Sequence, residues 1–189
     1  MTTPEQYKND VEKDGLLGQE IPTERLNLVP LSMKYRDEIF TEFDNEITTH
    51  MYPRSAKKIS ETEDFINEAM KQLKAGTDLQ LAILDKDSNE FLGCAGLHHV
   101  DKKTPEFGVW VKKSAHGKAL GREAMQALKK WADENLEYEY LLYPVAGENI
   151  ASKKIAESMG GKIEREYDVK NMSGNSLHLI EYRIYNNKK

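Results

Sequence analysis

Cysteine is almost absent from this sequence, since Cys94 is the only one among 189 residues. A single thiol excludes an internal disulfide framework and is typical of a reducing compartment. No apolar run approaches the about 18 residues that a membrane-spanning helix needs, and residues 1–10 are polar, without the apolar centre of a secretion signal. We therefore expect a cytoplasmic protein without a membrane partner.

Basic residues are not in excess either. The 27 Lys and Arg residues are outnumbered by 32 Asp and Glu, which gives a net charge of −5. Pairs such as Lys57–Lys58 and Lys112–Lys113 are scattered along the chain rather than clustered. Proteins that bind nucleic-acid backbones are usually basic or carry a dense basic stripe. The composition therefore argues against a nucleic-acid partner, and a mildly acidic surface suits a cationic substrate.

Repeats, low-complexity tracts and linkers are also missing. Residues 1–20 are charged and show no sustained hydrophobic period, so we expect an N-terminal extension there, with a short surface helix as one form of it. Leu, Ile, Val and aromatic residues recur through the rest of the chain, which is long enough to bury a core. The prediction is a single domain over residues 21–189.

Hydrophobic periodicity divides this domain into strands and helices. Alternating apolar residues predict seven strands, over residues 23–30, 79–84, 91–100, 105–112, 140–145, 162–169 and 177–185. Apolar spacings of three and four predict four helices, over residues 33–43, 60–76, 117–137 and 150–159. Ser32 is expected to cap the first helix, Ser60 with Glu63 to form a capping box for the second, and Gly76 to end it.

The order of these elements predicts a mixed α/β sheet. The three consecutive strands between residues 79 and 112 favour antiparallel pairing, whereas a strand on each side of helix 117–137 predicts a parallel crossover. The last two strands face each other across residues 171–175, a spacing typical of a closing antiparallel hairpin.

The most informative stretch is residues 106–122, where a strand leads through a short loop into the longest helix. The first turn of a helix has free N–H groups and a positive dipole end, so this junction can receive an anion. Gly117, Ala119 and Gly121 keep bulky side chains away from the backbone. The loop lacks the P-loop pattern and the dinucleotide-binding pattern. An ordinary tight strand–helix turn is the alternative interpretation.

Four segments in this order resemble the GNAT superfamily of N-acetyltransferases, in particular its RimJ/RimL-like branch. They are residues 91–97, residues 106–111, the loop 116–121, and residues 149–152 with the helix end at Met159-Gly160-Gly161. The resemblance extends from Thr23 to the last strand. It implies a GNAT-like fold of about seven strands, mostly antiparallel with a parallel central pair, and about four helices.

The sequence departs from the family pattern at four positions. His116 stands where Arg or Gln is common, and Ala119 replaces the first glycine of the loop. The tyrosine that many members use as a general acid falls at Ala156, and Gly161 replaces a phenylalanine. The loop changes affect the expected cofactor affinity, and the missing tyrosine leaves the general acid open.

The resemblance implies acetyl transfer from acetyl-CoA, as co-substrate, to a primary amine, with no metal. The pyrophosphate would bind the loop amides and the helix N-terminus, and the pantetheine arm would run along the strand before them. The implied cofactor-binding residues are Val109, Trp110, Val111, His116, Gly117, Lys118, Ala119, Leu120, Gly121, Arg122, Asn149 and Ser152.

Glu106 and Ser152 are the candidate catalytic residues. An ammonium must lose a proton before it attacks, and Glu106 is placed to accept it directly or through water. Ser152, one helical turn from Asn149, is the candidate proton donor, with Tyr143 on the preceding strand as an alternative donor. A salt-bridged strand-end Glu106, a capping Asn149 and a packing Ser152 are the structural alternatives.

The histidines do not form a metal or nucleophile site. His98 and His99 are adjacent on a strand and point to opposite faces, so they cannot chelate one ion together. Cys94 lies roughly 13 Å from His98 along the same strand, too far for a thiolate–imidazole pair. Either histidine could line an acceptor pocket, with a structural role as the alternative.

The acceptor stays open at this point: a protein N-terminus, a polyamine, an amino acid and an aminoglycoside-like drug all carry a suitable amine. Residues 43–60 and the C-terminal hairpin are expected to form the acceptor side. Glu42, Asp44 and Glu46 in or near that loop could attract a cation, or could be merely solvated. A CoA-binding module without catalysis is the alternative function, and the sequence is compatible with a monomer or a homodimer.

Overall fold

A computed structural model describes residues 15–186 of the protein. These residues form an eight-stranded sheet and four α-helices. The strands are β1 (Ile21–Pro22), β2 (Leu26–Pro30), β3 (Leu79–Asp85), β4 (Phe91–His98), β5 (Glu106–Val111), β6 (Leu141–Ala146), β7 (Lys162–Lys170) and β8 (Ser176–Ile184). The helices are α1 (Arg36–Glu42), α2 (Ile59–Ala75), α3 (Leu120–Asn135) and α4 (Ile150–Ser158).

The strands lie in the order β1-β2-β3-β4-β5-β6-β8-β7. Only β5 and β6 run parallel among the described strands, on either side of the α3 crossover, and the other neighbours are antiparallel. The predicted mixed sheet with one parallel central pair is therefore confirmed. The eighth strand is the two-residue β1, which is too short to show a periodic pattern.

The sheet separates two hydrophobic cores, because successive side chains point to opposite faces. The larger core packs one face against α3 and includes Leu81, Leu97, Phe107, Met125 and Leu128. The smaller core packs the other face against α1 and α2 and includes Ile39, Ile66, Ala82, Phe91 and Cys94. The paired residues of β4 and β5 that share this second face are Cys94 with Trp110, Gly96 with Gly108, and His98 with Glu106.

The predicted capping box on the second helix is wrong. Helix α2 begins at Ile59 after Lys58, so Ser60 already lies inside its first turn, and no side chain caps it. The Glu63 carboxylate instead accepts a hydrogen bond from Arg36 at 3.0 Å. Gly76 ends the helix as predicted, in the left-handed conformation with φ of 70°. Ser32 precedes the first helical turn without a capping hydrogen bond.

The start of α3 is also later than predicted. Residues 113–115 form a short 3-10 turn, and Gly117 and Ala119 adopt positive φ angles of 78° and 60°. These conformations are incompatible with a continuing α-helix, so α3 begins only at Leu120.

The N-terminal extension is described from Gly15 onward. Leu16 is buried, and its amide donates to the Leu73 carbonyl near the end of α2 at 2.7 Å. The end of the extension is thus part of the larger core rather than a surface addition, and residues 1–14 lie outside the described residues. No helix within residues 15–186 is long and apolar enough to cross a membrane.

Candidate functional site

The parallel strands β5 and β6 diverge directly after a single registered pair. Glu106 and Leu142 are the one registered pair between β5 and β6, and the Leu142 amide donates to the Pro105 carbonyl at 2.8 Å. Beyond this pair, β6 does not pair with the rest of β5 within residues 15–186. A wedge-shaped gap therefore opens between the strands toward the C-terminal end of β5.

Backbone groups of β5 point into this gap. The Lys112 amide donates to the Leu92 carbonyl on β4 at 2.7 Å, and the direction of hydrogen bonding alternates along an antiparallel strand. The N–H and C=O groups of Val109 and Val111 therefore face away from β4. Val109 offers one donor and one acceptor to anything that lies in the gap.

The loop 116–119 lies at the mouth of the gap and leads into α3. Gly117 has φ of 78°, and a Cβ atom there would meet no atom within 4 Å. Gly121 sits in the first turn of α3, where a Cβ would contact Val111 and Ile155 at 3.4 and 3.6 Å. The loop is open to solvent on one side, and the helix start packs closely against β5 and α4. Free N–H groups of the first helical turn point toward the loop.

Arg25 holds this loop in place. Its guanidinium contacts the Glu123 carboxylate in the first turn of α3 at 2.7 Å and the Lys118 carbonyl at 3.1 Å. Thr23 donates to the same carboxylate at 2.6 Å. Burial alone would raise the pKa of Glu123, but the hydrogen bonds from Thr23 and Arg25 lower it below its ordinary value. Sequence reasoning missed this clamp, because its partners are about 100 residues apart.

A cleft of about 820 Å³ runs from the loop along β5 to the start of α4. Eleven of the twelve predicted cofactor-binding residues line it: Val109, Trp110, Val111, His116, Gly117, Ala119, Leu120, Gly121, Arg122, Asn149 and Ser152. Lys118 is the exception, and its carbonyl accepts from Arg25 instead. Ile47, His50 and Met51 form the facing side, which sequence reasoning did not include.

Two predicted residues in the cleft already have intramolecular partners. The His116 Nε2 lies 2.7 Å from the Val111 carbonyl oxygen and so donates to it. The Asn149 side-chain oxygen accepts from the Ser152 amide at 3.0 Å, which is the capping role considered as the structural alternative.

The Ser152 hydroxyl contacts a buried tyrosine. Tyr143 on β6 lies in the core behind the cleft and interacts with the Ser152 side chain. Burial raises the pKa of Tyr143 to about 12, and the contact with Ser152 opposes this shift. Ser152 and Tyr143, the two candidate proton donors, are thus neighbours, and Ser152 is the one that reaches the cleft.

A second cavity, of about 430 Å³, lies on the face of β5 that carries the smaller core. Most of its lining is apolar, from Ile39, Phe43, Met51, Pro53, Ala56, Phe65, Cys94, Ala95, Val109, Trp110 and Met172. Met51, Val109 and Trp110 line both the cavity and the cleft. The two spaces therefore adjoin at these three residues.

The loop 43–60 and the C-terminal hairpin enclose this cavity together. The Met172 amide at the hairpin tip donates to the Tyr52 carbonyl at 3.0 Å, and Asn171 donates to the Met51 carbonyl at 3.4 Å. Acidic residues of the loop have partners of their own: Asp44 accepts from the amides of residues 46 and 47, and Glu46 pairs with Lys113 at 2.6 Å.

The cavity holds one histidine in a defined orientation. The His98 Nδ1 lies 2.9 Å from one carboxylate oxygen of Asp78, and the His99 amide donates to the other at 2.9 Å. Burial would raise the pKa of Asp78, but these two hydrogen bonds lower it. His98 lines the cavity, whereas Asp78 is almost fully buried behind it. The sequence offered His98 only as one of several interpretations and gave no indication of Asp78.

Glu106 lines neither space. It faces His98 across the β4–β5 pair, and burial raises its pKa while His98 and His99 oppose the rise. The Cys94 thiol is buried, and burial raises its pKa. Within residues 15–186, no group of three or more His, Cys, Asp or Glu side chains is arranged to hold a metal ion.

Comparison with known proteins shows matches in family and in fold. A model of the GNAT acetyltransferase domain matches residues 25–162, which is well over half of the chain. No curated protein matches the chain in sequence.

Several solved structures share the fold at low sequence identity. An acetyltransferase from Salmonella typhimurium that modifies the N-terminal serine of ribosomal protein L7/L12 is 16% identical, with a TM-score of 0.77 over 88% of this chain and 99% of that one. A GNAT-family acetyltransferase from Bacillus anthracis is 18% identical, with a TM-score of 0.75 over 89% and 99%. The microcin C7 self-immunity acetyltransferase MccE, solved with acetyl-CoA and AMP, is 19% identical, with a TM-score of 0.76 over 86% and 93%.

Proposed function

Because the chain belongs to the GNAT acetyltransferase family, we propose that it transfers the acetyl group of acetyl-CoA to a primary amine in a ternary complex. One observation carries the proposal: the cleft and the apolar cavity adjoin at β5 and share Met51, Val109 and Trp110. Two substrates bound in these spaces would meet at Val109 and Trp110, without leaving the protein between steps.

The cleft suits acetyl-CoA in shape and in hydrogen-bonding groups. The open loop at Gly117 and the free amides at the start of α3 are suited to a pyrophosphate, and Arg122 adds a positive charge beside them. The outward N–H and C=O of Val109 are suited to the amide groups of a pantetheine arm, which would extend β5 on its unpaired edge. This assignment depends on main-chain donors. His116 and Ala119, which replace the residues that are usual in the family, therefore do not prevent it.

The cavity suits an amine that is attached to an apolar group. Arg54 and Glu61 are its charged pair and neutralise each other at 2.9 Å. A polyamine or an aminoglycoside would bring several cations into a lining without a free carboxylate, and each would lose its hydration there. An arylalkylamine or a chain terminus with an apolar first side chain fits the lining better.

Ser152 and Glu106 take the proton-transfer roles in this proposal. When the amine nitrogen bonds to the acetyl carbon, the carbon–sulfur bond breaks, and the Ser152 hydroxyl donates to the departing thiolate. Tyr143 behind Ser152 supports that donor. Glu106 receives the proton that the amine loses, and since it lines neither space it does so through a water or a neighbouring side chain.

Thermal unfolding followed by an activity assay tests this function. Acetyl-CoA at 100 times its dissociation constant stabilises the native state by about 2.7 kcal/mol, and we expect this shift with acetyl-CoA but not with ATP or NAD. We then expect thiol release from acetyl-CoA with 2-phenylethylamine and with a peptide that begins with phenylalanine.

The two steps separate the possible failures. Absence of a shift with acetyl-CoA at millimolar concentration would overturn the assignment of the cleft. A shift without thiol release for any amine in the panel would favour the CoA-binding module without catalysis.

A further inference from the structure

We propose that His98 is the group that accepts the proton from the incoming amine, and that Asp78 positions it. This inference rests on the proposed acetyl transfer and identifies a catalytic residue in the apolar cavity. Its basis is geometric: a buried carboxylate fixes one ring nitrogen of His98, and the ring itself lines the cavity that adjoins the cleft.

The hydrogen bonds of Asp78 determine which nitrogen of His98 is free. A carboxylate only accepts hydrogen bonds, and one oxygen of Asp78 accepts from the His99 amide while the other lies 2.9 Å from His98 Nδ1. In the neutral ring, Nδ1 therefore carries the proton and Nε2 carries the lone pair. No residue between 15 and 186 hydrogen-bonds to Nε2, so a substrate proton can reach it.

Two glycines allow the imidazole to lie against the sheet. Gly96 and Gly108 are a cross-strand pair on the same face as His98, and Cβ atoms built on them would lie 3.6 and 3.4 Å from Nε2. Larger side chains at these positions would occupy the space around Nε2. The glycines therefore keep the free nitrogen accessible beside Val109, where the cavity joins the cleft.

The surroundings of His98 make it the first base that an amine meets. Glu61 lines the cavity but is paired with Arg54, and Glu106 stands behind His98 and outside the lining. The titratable groups that face His98 are Asp78, His99 and Glu106. Because the lining offers an ammonium no unpaired carboxylate, the amine must be deprotonated there, and His98 Nε2 is the available acceptor.

The proposed step balances as follows. The ammonium N–H bond breaks and its proton moves to Nε2, which gives an imidazolium that the Asp78 carboxylate stabilises. The amine lone pair then forms the N–C bond as the C–S bond breaks, and the thiolate receives its proton from Ser152. The acetylated nitrogen loses its second proton, which returns to the Ser152 oxygen through solvent, so the products are a neutral amide and a free thiol and Ser152 is regenerated. The imidazolium passes its proton on to Glu106 or to solvent, so His98 is regenerated neutral.

Steady-state kinetics on the full-length protein, with acetyl-CoA and 2-phenylethylamine, tests the role. We expect H98Q to lower kcat by about 10²- to 10⁴-fold, the range of general-base catalysis, and to leave the thermal shift with acetyl-CoA unchanged. The fall in rate on acidification that a histidine base produces should disappear in this variant. H99N is the matched control: it changes the adjacent exposed histidine at φ of 57°, where Asn is tolerated, and should keep the parental kcat and pH profile.

Three further variants separate catalysis from folding. H98A should regain activity on addition of imidazole, which a purely structural loss would not do. D78N should lower kcat less than H98Q, with unchanged KM for acetyl-CoA, because the ring loses its fixed tautomer. E106Q should retain a pH profile governed by His98.

Several results would overturn the inference while leaving the proposed function intact. These are parental kcat and pH profile in H98Q, loss of the acid limb in E106Q alone, or nitrogen-15 NMR shifts that place the neutral-ring proton of His98 on Nε2. Failure of the parent protein to acetylate any amine would overturn the proposed function itself, and with it the role of His98 as the base.

Discussion

The cleft and the cavity adjoin at one strand but are built in different ways. The hydrogen-bonding groups that the cleft offers a cofactor are mainly main-chain groups of a continuous stretch, the end of β5, the loop and the start of α3, and α4 and residues 46–51 lie beside them. The cavity consists of side chains from α1, the loop before α2, α2, β3, β4, β5 and the hairpin tip. A backbone site tolerates changes of side chain, as at His116 and Ala119, whereas a side-chain site changes its specificity with each substitution.

The largest expected effect is on the cleft alone. We expect Gly117→Glu to weaken acetyl-CoA binding by about 100-fold or more, because like charges about 4 Å apart at a protein surface repel by up to about 4 kcal/mol, and 1.4 kcal/mol is a factor of ten. The Cβ would meet nothing within 4 Å, so the fold accommodates the side chain. Isothermal titration with acetyl-CoA measures the effect.

Gly160→Glu is the matched control for that variant. Gly160 also has positive φ, 76°, and open space around it, but it follows α4 and does not line the cleft. It therefore carries the same backbone strain and the same charge. Equal loss of affinity in both variants would contradict the assignment of the loop.

The same difference explains what could be predicted from sequence. Strand alternation and the small-residue loop are local patterns, so the sheet and the parallel pair follow from them, whereas the residues expected to line the cleft came from the resemblance to the GNAT family. Helix starts were less predictable, because Gly117 and Ala119 delay α3 through backbone angles that no periodicity reveals. The Asp78–His98 pair, 20 residues apart, and the Arg25–Glu123 clamp, 98 residues apart, exist only after the sheet has formed.

The cavity should give the protein a preference for amines that carry an apolar group. We expect kcat/KM for 2-phenylethylamine to exceed that for ethylamine by about 10- to 150-fold, since burying a phenyl-sized group contributes about 1.5–3 kcal/mol. Both amines present the same reacting group, so the ratio of their kcat/KM values measures the binding of the phenyl group in the cavity and not the acetyl-transfer step. Thiol release at fixed acetyl-CoA concentration provides both constants.

Spermidine is the informative counter-example. It should react no better than ethylamine, because the carboxylates of the nearby loop are engaged with Lys113 and with backbone amides. A preference for spermidine would move the acceptor from the apolar cavity to the acidic loop, and would make the cleft and the cavity more alike than we propose.

The smallest effect is expected at Glu106, which lines neither space, and it concerns stability. Burial raises the pKa of Glu106, so the unfolded chain loses this proton at lower pH than the native protein does. The free energy of unfolding therefore falls as pH rises above about 4.3, and the fall is complete above the native pKa of Glu106.

We expect Glu106→Gln to raise the Tm at pH 7 and to leave it unchanged near pH 4, while turnover falls. Differential scanning calorimetry at both pH values measures this, with the exposed Glu148→Gln as a control that should shift neither. A lower Tm for Glu106→Gln at pH 7 would mean that its charge stabilises the sheet, and that a structural ion pair, rather than proton transfer, accounts for this carboxylate.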